Sequence, residues 1–176
     1  MSEALAFGRP PGTVIQYAYT VPDLQTAIDA YVDRLGVGPW FKRGPFTPAS
    51  ASYRGAPCEM TITLARAFAG DTMIELIEQH NEAPSIFREV IEQQGYGFHH
   101  FAIATTDFDA ELERLGYPVV FEDRAPSGAR IVYVDSTVDL PGFLEVVEMN
   151  ESMEQLYEQF RSAAASWDGS DAVRDG

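Results

Sequence analysis

The sequence predicts an α+β fold of two similar βαβββ modules, and an internal repeat carries this prediction. Residues 16–24 (QYAYTVPDL) align with residues 100–108 (HFAIATTDF): the apolar positions match, alanine falls on alanine, and an aspartate follows seven residues after the polar start. A second pair of similar segments, in the same order along the chain, is formed by residues 73–78 (MIELIE) and residues 143–148 (FLEVVE). Two echoes in one order indicate a duplicated unit.

The first module is predicted over residues 13–80. Its first strand covers residues 13–20, where apolar and other residues alternate. Asp23 is expected to cap a helix that ends at Gly36, because apolar residues recur between them at helical spacing. Three further strands are predicted, at residues 38–43, 58–67 and 72–79.

The second module is predicted over residues 98–150, after a connector at 81–97 that holds a short helix at 86–93. Asp107 is expected to cap the helix of this module, which ends near Gly116. Strands are predicted at residues 98–105, 118–123, 129–135 and 143–149. Residues 151–176 are predicted to form an amphipathic C-terminal helix followed by a frayed polar tail.

The composition limits the kinds of molecule that this protein is expected to bind. A net charge of −15 argues against nucleic acid or an anionic membrane surface, because both require a positive face. A hydrophobic content of 45% supports a packed core, and one cysteine, Cys58, excludes an intramolecular disulfide and fits a reducing compartment. No basic leader followed by a long apolar run is seen at the start. We therefore expect a cytoplasmic protein, off the membrane, whose partner is a small molecule.

Four polar residues occupy equivalent places in the repeat. Each module begins with a strand that carries an amide or imidazole and ends with a strand that carries a carboxylate between apolar residues: Gln16 and Glu75 in the first module, His100 and Glu145 in the second. Taken singly, Gln16 could be an ordinary strand residue and His100 a hydrogen-bonded core histidine. A glutamate in a buried row is costly unless it is paired or bound to a metal. The four together favour a metal site.

Two fused strand–helix–three-strand units of this kind resemble the vicinal-oxygen-chelate superfamily, which includes glyoxalases, bleomycin resistance proteins and extradiol dioxygenases. Residues 35–40 (LGVGPW), 74–81 (IELIEQHN) and 97–100 (GFHH) are similar to the glyoxalase-like branch near methylmalonyl-CoA epimerase. The resemblance covers about residues 13–150. It implies that each module curls into a cup of mixed sheet and that the paired cups face a metal ion.

Carried over by position, the resemblance implies one divalent metal, Zn, Ni, Co, Mn or Fe, held by Gln16, Glu75, His100 and Glu145. His100 is preferred to His99 because it falls opposite Gln16 in the repeat. Glu75 and Glu145 are preferred to the glutamates three residues later because they belong to the inner rows of the curled strands.

The resemblance implies a metal-dependent isomerase, epimerase or lyase that removes a proton beside a carbonyl of a small oxygenated substrate and stabilises the enediolate or enolate. Glu145 is the first candidate for the base and Glu75 the second. The alternative is a non-catalytic binding or resistance protein that holds a small molecule in the same cup. A ring-cleaving dioxygenase is disfavoured, because it needs two histidines and one carboxylate on iron and the first position here is Gln16.

Aromatic residues are expected to form the rim of a substrate pocket, with one cation to meet an anion. The expected substrate-binding residues are Trp40, Phe41, Tyr53, Arg54 and Phe98. The apolar stripe of the C-terminal helix (Met153, Leu156, Tyr157, Phe160) is expected to pack on the sheet or on a second subunit, so the sequence leaves a homodimer open.

Overall fold

The structure, a computed structural model, describes residues 4–176, and within this range eleven strands form one sheet and four helices pack against it. The strands are β1 (Val14–Thr20), β2 (Trp40–Phe46), β3 (Ser52–Tyr53), β4 (Ala56–Pro57), β5 (Ile62–Ala69), β6 (Thr72–Gln79), β7 (Gly97–Thr105), β8 (Val119–Arg124), β9 (Arg130–Val134), β10 (Phe143–Glu148) and β11 (Val173–Asp175). The helices are α1 (Leu24–Leu35), α2 (Ile86–Gln94), α3 (Phe108–Leu115) and α4 (Glu151–Ala165).

The order of strands repeats the order of the sequence. The sheet runs β11-β2-β5-β6-β1-β7-β10-β9-β8-β3-β4. β1 pairs in parallel with β6, β7 pairs in parallel with β10, and β1 and β7 meet antiparallel at the centre. The four strands β2-β5-β6-β1 therefore correspond to β8-β9-β10-β7, which confirms the predicted duplicated α+β architecture. The predicted division at 13–80, 81–97, 98–150 and 151–176 stays a prediction.

Local sequence sets where the helices begin and end. Each helix starts at a side chain that accepts a hydrogen bond from the backbone N–H three residues further on: Asp23, Ser85, Asp107 and Asn150. These caps satisfy N–H groups that the helix itself leaves unpaired. α1 and α3 end at Gly36 and Gly116, whose φ angles of 63° and 68° suit glycine.

The two faces of the sheet are covered differently. α1 and α3 cover what we call the outer face, where buried residues such as Leu24 and Ile28 or Phe108 pack on the strands. α2 and α4 cover the inner face, through residues such as Phe87 and Tyr157. Each large apolar side chain buried in this way contributes about 1.5–3 kcal/mol. Helices on both sides leave the middle of the inner face as the place for a site.

A β-bulge at the centre of the sheet changes which side chains face inward. Ala18 lies opposite His100, but the next residue, Tyr19, lies opposite Phe98, so His99 is the extra residue. Regular alternation predicted Phe98 on the face of His100 and His99 on the other face. The bulge reverses both placements: His99 is fully buried beside His100, and Phe98 packs against Tyr19 on the outer face.

The predicted frayed tail is wrong for its last residues. Val173–Asp175 form β11, which pairs in parallel with β2, and Val173 lies opposite Trp40. The edge of β2 would otherwise present a row of unpaired backbone groups, and the tail satisfies them. The short strands β3 and β4 are also not predicted, because the sequence indicates a loop over residues 45–52 and a lead-in to the next strand over residues 53–56. None of the helices in residues 4–176 combines the length and apolarity needed to cross a membrane.

Candidate metal centre

The four predicted ligands meet in the middle of the inner face: Gln16, Glu75, His100 and Glu145. The pairing of the central strands explains how. In the row across β6, β1 and β7, Ala18 stands between Glu75 and His100. In the row across β1, β7 and β10, Ala102 stands between Gln16 and Glu145. Both alanines are fully buried, and their small side chains leave room above the sheet in which the four longer side chains converge.

The polar atoms of these four side chains are close together and shielded from water. Gln16 Nε2 lies 3.1 Å from Glu75 Oε2, 3.2 Å from Glu145 Oε2 and 3.3 Å from His100 Nε2. His100 Nε2 lies 3.3 Å from Glu145 Oε2 and 3.6 Å from Glu75 Oε2. One atom from each of Glu75, His100 and Glu145 fits within 4.8 Å of the others. Each of the four residues is at most 3% exposed.

A chain of hydrogen bonds sets the tautomer of His100. His99 Nε2 lies 3.1 Å from the carbonyl oxygen of Ile86, which only accepts, so Nε2 carries the proton and donates. Nδ1 of a neutral His99 then accepts, and it lies 2.8 Å from His100 Nδ1, which must therefore donate. Burial lowers the pKa of His99 to about 3 and that of His100 to about 4, so both rings are neutral at pH 7. His100 Nε2 is left with a lone pair that faces the two carboxylates.

The donor set fits a divalent metal. The amide nitrogen of Gln16 has two hydrogens but three acceptors within 3.3 Å: the lone pair of His100 and one oxygen from each glutamate. The cluster is one donor short, and like-charged carboxylates share a buried space. A bound cation would interact with the acceptor atom that lacks a donor and would offset the repulsion between the two carboxylates. Imidazole nitrogen and carboxylate oxygen are ligands of zinc and of other divalent transition metals, and rotation of the Gln16 amide exchanges its nitrogen for its oxygen.

The two carboxylates differ in their surroundings. Arg66 Nε donates to Glu75 Oε1 at 2.7 Å in a nearly buried ion pair. Burial raises the pKa of Glu75, and the charge of Arg66 opposes this rise. Burial raises the pKa of Glu145 to about 7, and this rise is opposed first by the charge of Arg66 and then by hydrogen bonds from Tyr133 and Gln16, which are both neutral. Glu75 thus forms a direct ion pair with Arg66, whereas Glu145 is affected by the charge of Arg66 without forming an ion pair with it.

A cavity of about 400 Å³ opens beside the cluster. Glu75, Glu145, Arg66 and Tyr133 supply polar atoms to its lining. Its apolar wall includes Ile62, Leu64, Ile77, Met153 and Leu156, from β5, β6 and α4. A second cavity of about 390 Å³ adjoins it and shares six of its lining residues. A few convergent polar groups in a mostly apolar pocket of this size are typical of a small-molecule site.

Two of the predicted rim residues have other partners. Arg54 forms an ion pair with Glu89 at 2.8 Å, and Tyr53 also hydrogen bonds to Glu89. Neither residue lines the two cavities beside the cluster. The sequence places both residues in the loop before β5 but does not reveal that α2 brings an acid to them.

The other three predicted rim residues are divided between the faces of the sheet. Trp40 is fully buried on the outer face, where it stacks edge-on against Tyr31 of α1. Phe98 is placed on the outer face by the bulge. Phe41 lies on the inner face, stacks on Phe160 of α4 at 4.0 Å, and lines the second cavity. Of the five, only Phe41 is near the cluster, so we leave the other four out of the proposed site.

Sequence reasoning missed Arg66 and Tyr133, which both line the cavity. The sequence does carry a signal for Arg66, because strand alternation over residues 58–67 places Arg66 on the same face as Ile62 and Leu64. Tyr133 follows Ile131 in β9 with the same alternation. Their contact with the glutamates depends on which strands are neighbours in the sheet, and one sequence does not give that order.

Comparison with known proteins agrees with the fold. The profile of the Glyoxalase/Bleomycin resistance protein/Dioxygenase superfamily matches residues 15–133. A 2-epi-5-epi-valiolone epimerase from Actinomyces sp. is 30% identical over 145 residues, which cover 70% of this chain and 74% of the relative. Among solved structures, methylmalonyl-CoA epimerase from Mycobacterium tuberculosis has a TM-score of 0.57 at 19% identity, covering 88% of this chain and 96% of that one. A hypothetical protein from Bacillus halodurans C-125 has a TM-score of 0.59 at 18% identity, covering 79% and 95%.

The fold and the site together define a class: paired βαβββ modules in one sheet, with a ligand-type residue on the first and last strand of each. The length of chain matched by the profile and the identity to the epimerase then give the family. The chain belongs to the Glyoxalase/Bleomycin resistance protein/Dioxygenase superfamily, which confirms the resemblance drawn from residues 35–40, 74–81 and 97–100.

Proposed function

We propose that this protein is an epimerase or isomerase that depends on one divalent metal and moves a proton beside a carbonyl group of a small oxygenated substrate. The observation that carries the proposal is the buried cluster of Glu75, His100 and Glu145, whose ligand atoms converge next to a cavity. The name of the Actinomyces relative, an epimerase, supports the same class of reaction.

Gln16, Glu75, His100 and Glu145 would hold the ion, which is Zn, Ni, Co, Mn or Fe. When bound, it would supply Lewis-acid polarisation of the substrate carbonyl and would lower the energy of the negative charge that proton removal leaves on oxygen. The residues around it have the tasks of holding the substrate, excluding water and moving the proton.

Glu145 is our candidate for the base. In the metal-free cluster burial raises the pKa of Glu145 to about 7; a bound divalent ion would lower this pKa and so keep Glu145 ionised and able to accept a proton at neutral pH. Its partners are neutral, so proton uptake breaks no ion pair. Tyr133 is a fully buried donor beside it, and burial raises the pKa of Tyr133 well above its ordinary value, which keeps its hydroxyl protonated. Glu75 is the second candidate, and its ion pair with Arg66 makes proton uptake less favourable.

The donor set separates this proposal from a ring-cleaving dioxygenase. That chemistry needs two imidazoles and one carboxylate on iron. Within residues 4–176 the cluster offers a single imidazole nitrogen, from His100, because both ring nitrogens of His99 are engaged by His100 and Ile86.

Exchange of substrate hydrogen for solvent deuterium tests the proposal. The metal-loaded protein would be incubated in D2O with methylmalonyl-CoA, with 2-epi-5-epi-valiolone and with a panel of related α-substituted carbonyl compounds, and deuterium would be followed by NMR. We expect deuterium to enter the carbon beside the carbonyl of at least one compound. Glu145→Gln should abolish the exchange, and Glu148→Gln, on the same strand but on the outer face, should retain it.

No exchange with any compound by the metal-loaded wild type would refute the proposed reaction. Binding of a compound in the cavity without exchange would then favour a non-catalytic binding protein of the same fold. Exchange that persists in Glu145→Gln but is lost in Glu75→Gln would move the role of base to Glu75.

A further inference from the structure

Within residues 4–176, Arg43 is a cation without a carboxylate partner beside the candidate metal centre. It lies on β2 and lines both cavities, with its guanidinium 4.2 Å from the centre of the Phe46 ring. No carboxylate in residues 4–176 lies within ion-pair distance of it. Asp123, an acid that lines the same cavity, accepts a hydrogen bond from Ser50 at 2.6 Å. A partly buried guanidinium without an anion pays for desolvation and recovers little, which leaves its donors available to a ligand.

The other two arginines that line the first cavity differ from Arg43 in their contacts. Arg66 is paired with Glu75, and Arg124 donates to the carbonyl oxygen of Gly128 at 3.0 Å. Burial and then the charge of Arg66 lower the pKa of Arg43, and the charge of Asp123 opposes them in part, so an incoming anion would relieve an unfavourable interaction. Arg54, the cation that the sequence assigned to meet an anion, is held by Glu89. Arg43 is thus the partly buried arginine that lines both cavities and has no carboxylate within ion-pair distance in residues 4–176, whereas Arg124 is exposed and lines the first cavity alone.

The charged residues that line the cavity also favour an anionic ligand. Its lining holds three arginines and three acids: Arg43, Arg66, Arg124, Glu75, Asp123 and Glu145. With all six ionised these charges cancel, and a divalent ion in the proposed site would bring the cavity to a net charge of two positive units. The chain as a whole carries −15. A positive cavity with apolar walls in an acidic protein favours an anionic ligand.

We infer that Arg43 binds an anionic group of the substrate, a carboxylate or a phosphate, while the carbon that exchanges its proton lies at Glu145. This inference rests on the proposed function and narrows its substrate class. Arg43 lies opposite Leu64, and Leu64 lies opposite Ile77, which is two residues from Glu75. β2 and β6 are therefore two strand spacings apart, about 10 Å between backbones. The anion lies several bonds away from the reacting carbon, across the apolar surface of Leu64.

Two hydroxamates test the inference on the metal-loaded protein by isothermal titration calorimetry. Acetohydroxamate is a neutral metal chelator, and succinic acid monohydroxamate is a chelator that also carries a carboxylate. The wild type should bind the carboxylate compound at least about fivefold more tightly, which corresponds to roughly 1 kcal/mol. Arg43→Gln should lose this preference. Arg34→Gln, which removes the same charge from the exposed end of α1, should keep it. A preference that survives Arg43→Gln would overturn the inference.

A second measurement needs no metal, so it separates failure of the anion subsite from failure of the proposed function. The guanidinium Nε–H signal of Arg43, assigned by its loss in Arg43→Lys, would be followed by NMR while metal-free protein is titrated with inorganic phosphate and, separately, with succinate at constant ionic strength. The subsite is supported if the chemical shift of the Arg43 signal saturates with anion concentration while that of the Arg34 signal changes only linearly. Comparison of the two titrations then shows which anion the subsite prefers. Parallel drift of the two signals with both anions overturns it. Failure of acetohydroxamate to bind the metal-loaded protein would refute an open coordination position at the ion, and with it the proposed function, but not the anion subsite.

Discussion

His99 is predicted to strengthen metal binding without touching the metal. It accepts a hydrogen bond from His100 Nδ1 at 2.8 Å and donates one to the carbonyl oxygen of Ile86 at 3.1 Å. His99→Phe keeps an aromatic ring among the neighbouring aromatic residues and removes both hydrogen bonds. We expect the affinity for Zn²⁺ to fall about 10–100-fold, as for partners of metal-bound histidines in other proteins.

The structure indicates why the loss should appear in metal binding and not in folding. In the metal-free variant His100 can move its proton to Nε2, where Glu145 Oε2 lies 3.3 Å away and accepts it. Bound metal requires the lone pair on Nε2, so Nδ1 must then carry a proton with no acceptor. An unsatisfied buried donor costs about 1–3 kcal/mol, which matches the 10–100-fold loss of affinity.

The assay is competition for Zn²⁺ against a fluorescent chelator, paired with urea unfolding of the metal-free proteins. His99→Gln is the matched control, because its amide oxygen can accept from His100 and its nitrogen can donate to Ile86. We expect this variant to stay within about threefold of the wild-type affinity, or roughly 0.7 kcal/mol. Wild-type affinity in His99→Phe would refute the reasoning. So would an equal loss of affinity in both variants.

Three further predictions concern the surroundings of the site. Arg66→Gln leaves the buried charge of Glu75 without a counter-charge. In urea unfolding of the metal-free protein at pH 8, the free energy of unfolding should fall by about 3–5 kcal/mol, and Zn²⁺ should restore part of it. An unchanged free energy of unfolding would contradict the ion pair. Ala102→Leu fills the space in which the ligand side chains converge, so the bound Zn²⁺ measured by elemental analysis should fall to near zero. The free energy of unfolding should fall by only about 1–3 kcal/mol. Full occupancy by Zn²⁺ would contradict the packing. Hydrogen bonds from Arg130 hold the pKa of the Glu148 carboxyl below its ordinary value of 4.5. Their contribution to stability is present above that pH and is lost as the pH falls through the lower folded-state value. Thermal unfolding should therefore separate Glu148→Gln from wild type more at pH 7 than at pH 3, and a constant separation would contradict the assignment.

The repeat made the architecture and the four clustered residues predictable from the sequence. Two echoes in one order gave equivalent places to Gln16 and His100 and to Glu75 and Glu145. In the structure the same equivalence appears as two rows of the sheet, each with an alanine between two polar residues. Periodicity and position in a repeat are local properties of a chain, so a single sequence reveals them.

The pocket could not be predicted in the same way. The bulge at His99 exchanges the faces of His99 and Phe98, and no turn residue or glycine at His99 marks it. Arg54 was expected to be free, but α2 brings Glu89 to it across the inner face. Arg43 and Arg54 both precede β5, and only the pairing of strands distinguishes the one that reaches the cavity. Side-chain partners between distant segments depend on strand order and helix placement, which local pattern does not encode.

The central claim is that the buried cluster holds a divalent metal. Elemental analysis of the protein purified without added metal tests this claim most directly. His100→Ala is the test variant. His80→Ala is the control, because it removes a half-exposed imidazole outside the cluster. We predict about one equivalent of a divalent transition metal in the wild type and in His80→Ala, and less than about a tenth of an equivalent in His100→Ala. An equal metal content in all three proteins, or no metal in the wild type even after incubation with Zn²⁺, Ni²⁺, Co²⁺, Mn²⁺ and Fe²⁺, would contradict the account.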